Sequence, residues 1–355
     1  MRDLRVSSLC SADDVAEGED VWELRRPPAP SVTEGKFVTT ASMYLAVTLN
    51  VDRIPREGVQ IRADSALSSP GGGYVVAEGV RRQGVETWVA SPLGTGPNSH
   101  SLRRSLSDAG IRHFATSLVE DVGVGVTMVE GDGKAAMVIA SGVESEPSAE
   151  ILGRLSLGPG DLVHVDGADL VNEVGGRTLV SWVEELPEDV KLVFSVSPEV
   201  GDVSPDLLMR VLKRTDLLTM NVREAATVTD VLNAAVPGTG VRHVLRPEAA
   251  VVRRTGPLGC EVQTSVGAER IQLPAFNTKP VDTTGVGDAH VAVMCASLLL
   301  GFDLPEACRR ANAGAALVLS HQTAFPLPTI REVEAVLEEG AVPLALTQEG
   351  CTDVQ

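Results

Sequence analysis

From about residue 160 onward, short apolar β-rich runs alternate with helix-patterned stretches, and this alternation restricts the chain to a narrow set of folds. Asp161-Leu-Val-His-Val precedes a helix around 175–186; then come Val190-Lys-Leu-Val-Phe, a helix capped by Ser204-Pro205-Asp206, and Asp216-Leu-Leu-Thr-Met ending at Asn221. Strands linked through helices pair in parallel, because parallel neighbours need a crossover, and the helices then cover both sheet faces. The expectation is an α/β fold with a mostly parallel sheet and ligand sites at the carboxyl ends of its strands.

The N-terminal half keeps the rhythm less regularly. Met43-Tyr-Leu-Ala-Val-Thr-Leu-Asn50 is expected to be the first core strand. Pro70-Gly71-Gly72-Gly73 opens a helix through Gly84, followed by the strand Glu86–Ala90 and a helix from about Asn98 to Gly110. Between 111 and 140, Val124-Gly-Val-Thr-Met-Val and Ala135-Ala-Met-Val-Ile flank a Gly131-Asp132-Gly133 turn and read as a hairpin. With strands placed in 51–66 and 111–140, this interruption is expected to form a small β lid. The last third carries β runs over 241–273, helices over Gly285–Leu300 and Pro305–Ser320, and a Thr329-Ile-Arg-Glu332 capping box for a final helix that stops at Gly340. Residues 1–35 lack apolar periodicity and are expected to be a poorly ordered extension to a domain at 36–340, with 341–355 as a C-terminal tail.

The formal charge of −18 argues against nucleic acid as a partner, because the pairs Arg25-Arg26, Arg81-Arg82, Arg103-Arg104, Arg253-Arg254 and Arg309-Arg310 are scattered rather than clustered. An anionic ligand is still admissible, since helix N-termini make a site locally electropositive. Five widely spaced cysteines without a C-x-x-C oppose a disulfide framework or a zinc site. No apolar run reaches membrane-spanning length and the first residues lack a signal-peptide pattern, so a cytoplasmic protein with no membrane partner is expected.

The chemistry concentrates in Asp282-Thr-Thr-Gly-Val-Gly-Asp288, which joins a β-rich stretch to the apolar helix starting at Gly285. Two glycines at a helix N-terminus present unpaired backbone N–H groups to an anion. Asp288 is a carboxylate inside that cradle, a placement that makes sense for a base taking a proton from an attacking hydroxyl. The plainer alternative is a strand-to-helix turn whose Asp288 interacts favourably with the helix dipole. A P-loop, a dinucleotide fingerprint, H-E-x-x-H and G-x-S-x-G are all absent.

The loop resembles the C-terminal signature of the ribokinase-like carbohydrate kinases of the PfkB superfamily, Asp-Thr-Thr-Gly-Ala-Gly-Asp, in six of seven positions. The resemblance implies a ribokinase-like three-layer α/β fold with a small β lid, and ATP-dependent phosphorylation of a hydroxyl on a small sugar or sugar-like molecule. It implies Asp288 as general base and the backbone of Gly285, Val286 and Gly287 as the anion hole. Asn221-Val-Arg-Glu224 resembles the family's Asn-x-x-Glu, which implies that Glu224 helps organise magnesium through water. Thr255-Gly256-x-x-Gly259 resembles the element beside the nucleotide phosphates, and Asn312 the asparagine beside adenine. Asp282 and Thr284 are implied as a site for potassium, and lids of this kind imply a homodimer as one oligomeric state.

The substrate half departs from the family pattern. Gly71-Gly72-Gly73 keeps the glycines of Gly-Gly-x-x-x-Asn, while Val76 stands where asparagine is expected. Asn50 and Asp52 resemble positions that bind sugar hydroxyls in the phosphofructokinase branch. His290 replaces an aromatic and is expected to pack rather than catalyse. Two readings stay open at this point: a kinase, or a ligand-binding or regulatory protein on a kinase scaffold that has lost activity.

Overall fold

The computed structural model describes residues 24–26, 28, 33, 35–114, 117–131, 134–321 and 326–347. Nine strands form the main sheet, in the spatial order Ile271–Leu273, Cys260–Gln263, Ala250–Arg254, Leu217–Asn221, Lys191–Ser195, Leu162–Asp166, Phe37–Thr39, Thr87–Val89 and Arg112–His113. Every pairing is parallel except the two that attach Cys260–Gln263 and Ile271–Leu273.

Strand periodicity explains the layers. Along Leu162–Asp166, Val163 and Val165 pack into one core with Leu192 and Phe194, while Leu162 packs into the other with Val193. The first core is covered by the helices Glu173–Glu184 and Pro205–Arg214, through residues such as Leu179, Val183, Leu207 and Val211. The second is filled by the helix Val286–Leu299, which is apolar all round because Gly73–Arg82 and Leu304–Leu319 enclose it.

The lid is a separate four-stranded sheet in the order Ser65–Gly72, Met43–Val51, Val124–Glu130, Ala135–Ala140. Two expectations are corrected here. Met43–Val51 belongs to the lid, and the first core strand is Phe37–Thr39, whose three residues are fully buried. A three-residue strand carries no readable period, whereas the longer apolar run beside it does. Within 51–66 the lid strands only flank the segment: Met43–Val51 leads into it, Ser65–Gly72 leads out, and 52–64 holds no strand. The hairpin Val124–Glu130 with Ala135–Ala140 is found as expected, its register running from Val124 opposite Ala140 to Val129 opposite Ala135; Asp132 and Gly133 of its turn lie outside the described residues.

Part of the expected N-terminal extension docks on the domain. The Leu24 carbonyl accepts from Thr329 Oγ1, Arg25 pairs with Glu332 at 3.4 Å, and Arg82 donates to the Arg25 carbonyl at 3.3 Å. Residues 1–23 and 348–355 lie outside the described residues. Among the described residues no helix is long and apolar enough to cross a membrane.

Candidate active site

The carboxyl ends of the parallel strands and the lid enclose a cavity of about 1040 Å³. One wall is the start of the helix Val286–Leu299. Gly285 caps it in the left-handed region (φ 75°), a conformation that suits glycine, and this turns the chain so that Val286, Gly287 and Asp288 line the cavity. The N–H groups of this first turn have no intrahelical acceptors. Burial pushes the Asp288 carboxyl up to about 6, with the charges of Asp166 and Glu224 adding and Arg254 opposing. Asp282 Oδ1 accepts from the Thr284 N–H at 2.9 Å, which folds the approach to the loop; neither residue lines the cavity.

A second wall comes from the strand end Asn221. The pattern Asn-x-x-Glu forms a capping box: Asn221 Oδ1 accepts from the Glu224 N–H at 2.9 Å, and Glu224 Oε2 accepts from the Asn221 N–H at 2.6 Å. Arg254 Nη2 donates to the same Oε2 at 2.9 Å, and Arg254 Nη1 to the Gly287 carbonyl at 3.2 Å. Burial raises the Glu224 pKa above the ordinary value, and Arg254 opposes the rise.

The third wall holds residues that no motif marked. Ser195 Oγ donates to Asp166 Oδ2 at 2.6 Å, so it accepts from His164 Nε2 at 2.8 Å. His164 Nδ1 is then the acceptor for Thr39 Oγ1 at 3.0 Å, and burial lowers the imidazole to about 4, keeping it neutral. Asp169 accepts from the Ser42 N–H at 2.8 Å and is pushed up to about 7 by burial and then by Asp166. Glu199 also lines the cavity, with its pKa raised by burial and by Asp166. Tyr44 closes this end from the lid and is pushed up to about 12 by burial.

Among the remaining expected residues, Gly72 and Val76 line the cavity and Gly71 lies just behind them. Gly72 has φ 62°, and a Cβ there would stand 2.2 Å from the Ser42 carbonyl oxygen, so the lid strand can meet the core only through glycine. Gly256, Gly259 and Asn312 line the far end; Asn312 Nδ2 donates to the Leu273 and Pro274 carbonyls at 3.1 and 3.0 Å. Thr255 sits behind Gly256 and accepts from Leu258, outside the lining. His290 is buried and lines the cavity.

The expectation for Asn50 and Asp52 is corrected. Both are exposed at the distal end of the lid strand, where Asn50 Nδ2 donates to Ser65 Oγ at 2.7 Å, and neither lines the cavity. Because Met43–Val51 runs away from the sheet, it is the start of this strand, at Ser42 and Tyr44, that meets the site.

The cavity is large enough for a nucleotide and a small acceptor together. Among the described residues, no group of three or more His, Cys, Asp or Glu could hold a metal ion unaided. Glu224 lines the cavity beside Asn221 and offers the oxygen ligand that magnesium takes.

Residues 36–330 match the family described as pfkB family carbohydrate kinase. The sequence is 28% identical over 304 residues to the uncharacterized sugar kinase YegV of Escherichia coli, covering 85% of this chain and 94% of that one. It is 28% identical over 305 residues to an ATP-dependent ribose-1-phosphate kinase of Halopiger xanaduensis, covering 82% and 95%. It is 26% identical over 307 residues to the ribokinase of Bacillus subtilis, covering 84% and 98%. Among solved structures, the ribokinase of Thermotoga maritima superposes with a TM-score of 0.71 at 21% identity, over 85% of this chain and 99% of that one. Arabidopsis thaliana ribokinase complexed with ribose and ATP superposes at 0.66 and 20% identity, over 88% and 99%. At these identities the superpositions speak to the ribokinase-like fold alone.

Proposed function

The chain belongs to the pfkB family of carbohydrate kinases, a phosphotransferase family, and on that premise we propose that it moves the γ-phosphoryl group of ATP to a hydroxyl of a small sugar or sugar-like molecule with Asp288 as base. The observation that carries the proposal is the placement of Asp288: a half-buried, cavity-lining carboxylate, pushed up to about 6, in the first turn of a helix, where N–H groups without intrahelical acceptors favour an anion.

The acceptor hydroxyl gives its proton to Asp288 as its oxygen bonds to the γ-phosphorus. The bond from that phosphorus to the bridging oxygen breaks, and ADP leaves with the electron pair. The backbone of Gly285, Val286 and Gly287 stabilises charge on the transferring group. Gly256, Gly259 and Asn312 hold the nucleotide, with Thr255 setting the turn beneath Gly256. Glu224 would hold a magnesium ion through water, and the ion would supply screening of the phosphate charge. Asn221 fixes Glu224 through their reciprocal capping hydrogen bonds.

Acceptor hydroxyls meet Asp166 and Asp169, the first oriented by Ser195 and neutral His164, with Gly71, Gly72 and Val76 closing the floor under the lid. The carboxylates are suited to accept hydrogen bonds from a polyol. Asp282 and Thr284 would hold a potassium ion, which would supply positive charge beside the loop; an assay in potassium against one in sodium tests it. The whole proposal is tested by incubating the purified protein with ATP, magnesium and a panel of sugars, nucleosides and polyols. Acceptor-dependent ADP release with a phosphorylated product supports it; nucleotide binding without transfer to any acceptor refutes it.

A further inference from the structure

We propose that Arg254 is a catalytic cation of this kinase, its guanidinium contacting the phosphoryl group as that group passes from ATP to the acceptor. The inference rests on Asp282–Asp288 being the transfer site.

Alternation along Ala250–Arg254 separates an adjacent pair of arginines. Arg253 turns to Glu261 at 2.7 Å, and Arg254 turns into the cavity. Arg254 ends its strand directly beside Asn221, so it stands at the carboxyl edge where the nucleotide-handling residues gather. Its guanidinium bridges two helix starts, through Glu224 Oε2 at 2.9 Å and the Gly287 carbonyl at 3.2 Å. The approach to the loop is close: a Cβ on Gly287 would lie 3.1 Å from Arg254 Nη1.

The plainer role is to anchor Glu224. One carboxylate oxygen and one carbonyl use only part of a group with five N–H donors, and Arg254 Nε is buried without a hydrogen-bond partner among the described residues. Charge decides further. The cavity is lined by Asp166, Asp169, Glu199, Glu224 and Asp288, and Arg254 is the only lysine or arginine among the described lining residues. A triphosphate entering this acidic space gains from a cation on the protein side beyond the screening magnesium would supply, because a loose phosphoryl-transfer transition state spreads negative charge over three equatorial oxygens. A guanidinium presents parallel N–H groups to such oxygens and keeps its charge at any working pH. Arg254 therefore gives up no proton; the acceptor proton still goes to Asp288 and the electron pair still leaves with ADP.

The test compares wild type with Arg254→Met and Arg254→Lys, reading turnover, thermal melting, and the affinity for magnesium-ADP with and without aluminium fluoride, which imitates the phosphoryl group in flight. Expected is a fall in kcat of about 10²–10³-fold for Arg254→Met, with ADP affinity kept and the fluoride-dependent gain lost. Arg254→Lys is expected to fold as wild type and to recover part of both. Overturning results are wild-type turnover in either variant, or equal loss of ADP affinity with and without fluoride. If Arg254→Met fails to fold, an undiminished fluoride gain in Arg254→Lys overturns it. Arg254 variants as active as wild type would leave the role of Asp288 standing, while Asp288→Asn at full activity would remove the transfer site itself.

Discussion

Asp166 and Asp288 line one cavity, and the charge of Asp166 adds to burial in lifting the Asp288 carboxyl to about 6. The two carboxylates come from a strand end and a helix start far apart in sequence. Burial first, and the charge of Asp166 second, make Asp288 the better proton acceptor.

The first prediction concerns pH. A base works only when deprotonated, so kcat/KM should fall as pH drops through about 6, the value set by Asp288 in the free enzyme. Replacing Asp166 by Asn removes a charge that raises Asp288, so the acid limb should move to lower pH. An unchanged limb in Asp166→Asn would show that the two groups do not interact.

Stability should move the other way. Asp288 binds its proton more tightly in the folded chain than at its ordinary value of 3.8, so ionising it costs stability as pH rises from about 4 through about 6, and the full cost is present above that. Asp288→Asn cannot ionise and should melt above wild type at pH 7.5, the gap closing toward pH 4. Melting curves across that range decide it; a variant less stable at neutral pH contradicts the burial of a charged carboxylate.

Asn50 and Asp52 offer a control. Both are exposed on the lid and outside the cavity, so Asn50→Ala and Asp52→Ala should leave the KM of the acceptor unchanged. Val76→Asn, in contrast, adds a polar group to the cavity wall and should alter acceptor preference. Steady-state kinetics on one acceptor panel reads all three.

The layered sheet and the Asp282–Asp288 loop are legible in the sequence because each is local: a strand–helix rhythm, and a spacing of glycines and aspartate within seven residues. Arg254 is not, because nothing in an Arg-Arg pair says which member faces the site until the register of its strand is known. The chain Thr39, His164, Ser195, Asp166 joins three strands neighbouring only in space. The misplacement of Asn50 and Asp52 has a single origin: a nine-residue lid strand is a stronger signal than the three-residue core strand before it.

The role of Asp288 is tested most directly by turnover of Asp288→Asn, a change that keeps size and removes the base. With the acceptor found by ADP release, kcat should fall by about two to four decades while ATP still binds. Phosphate transfer by the variant at the wild-type rate would contradict it.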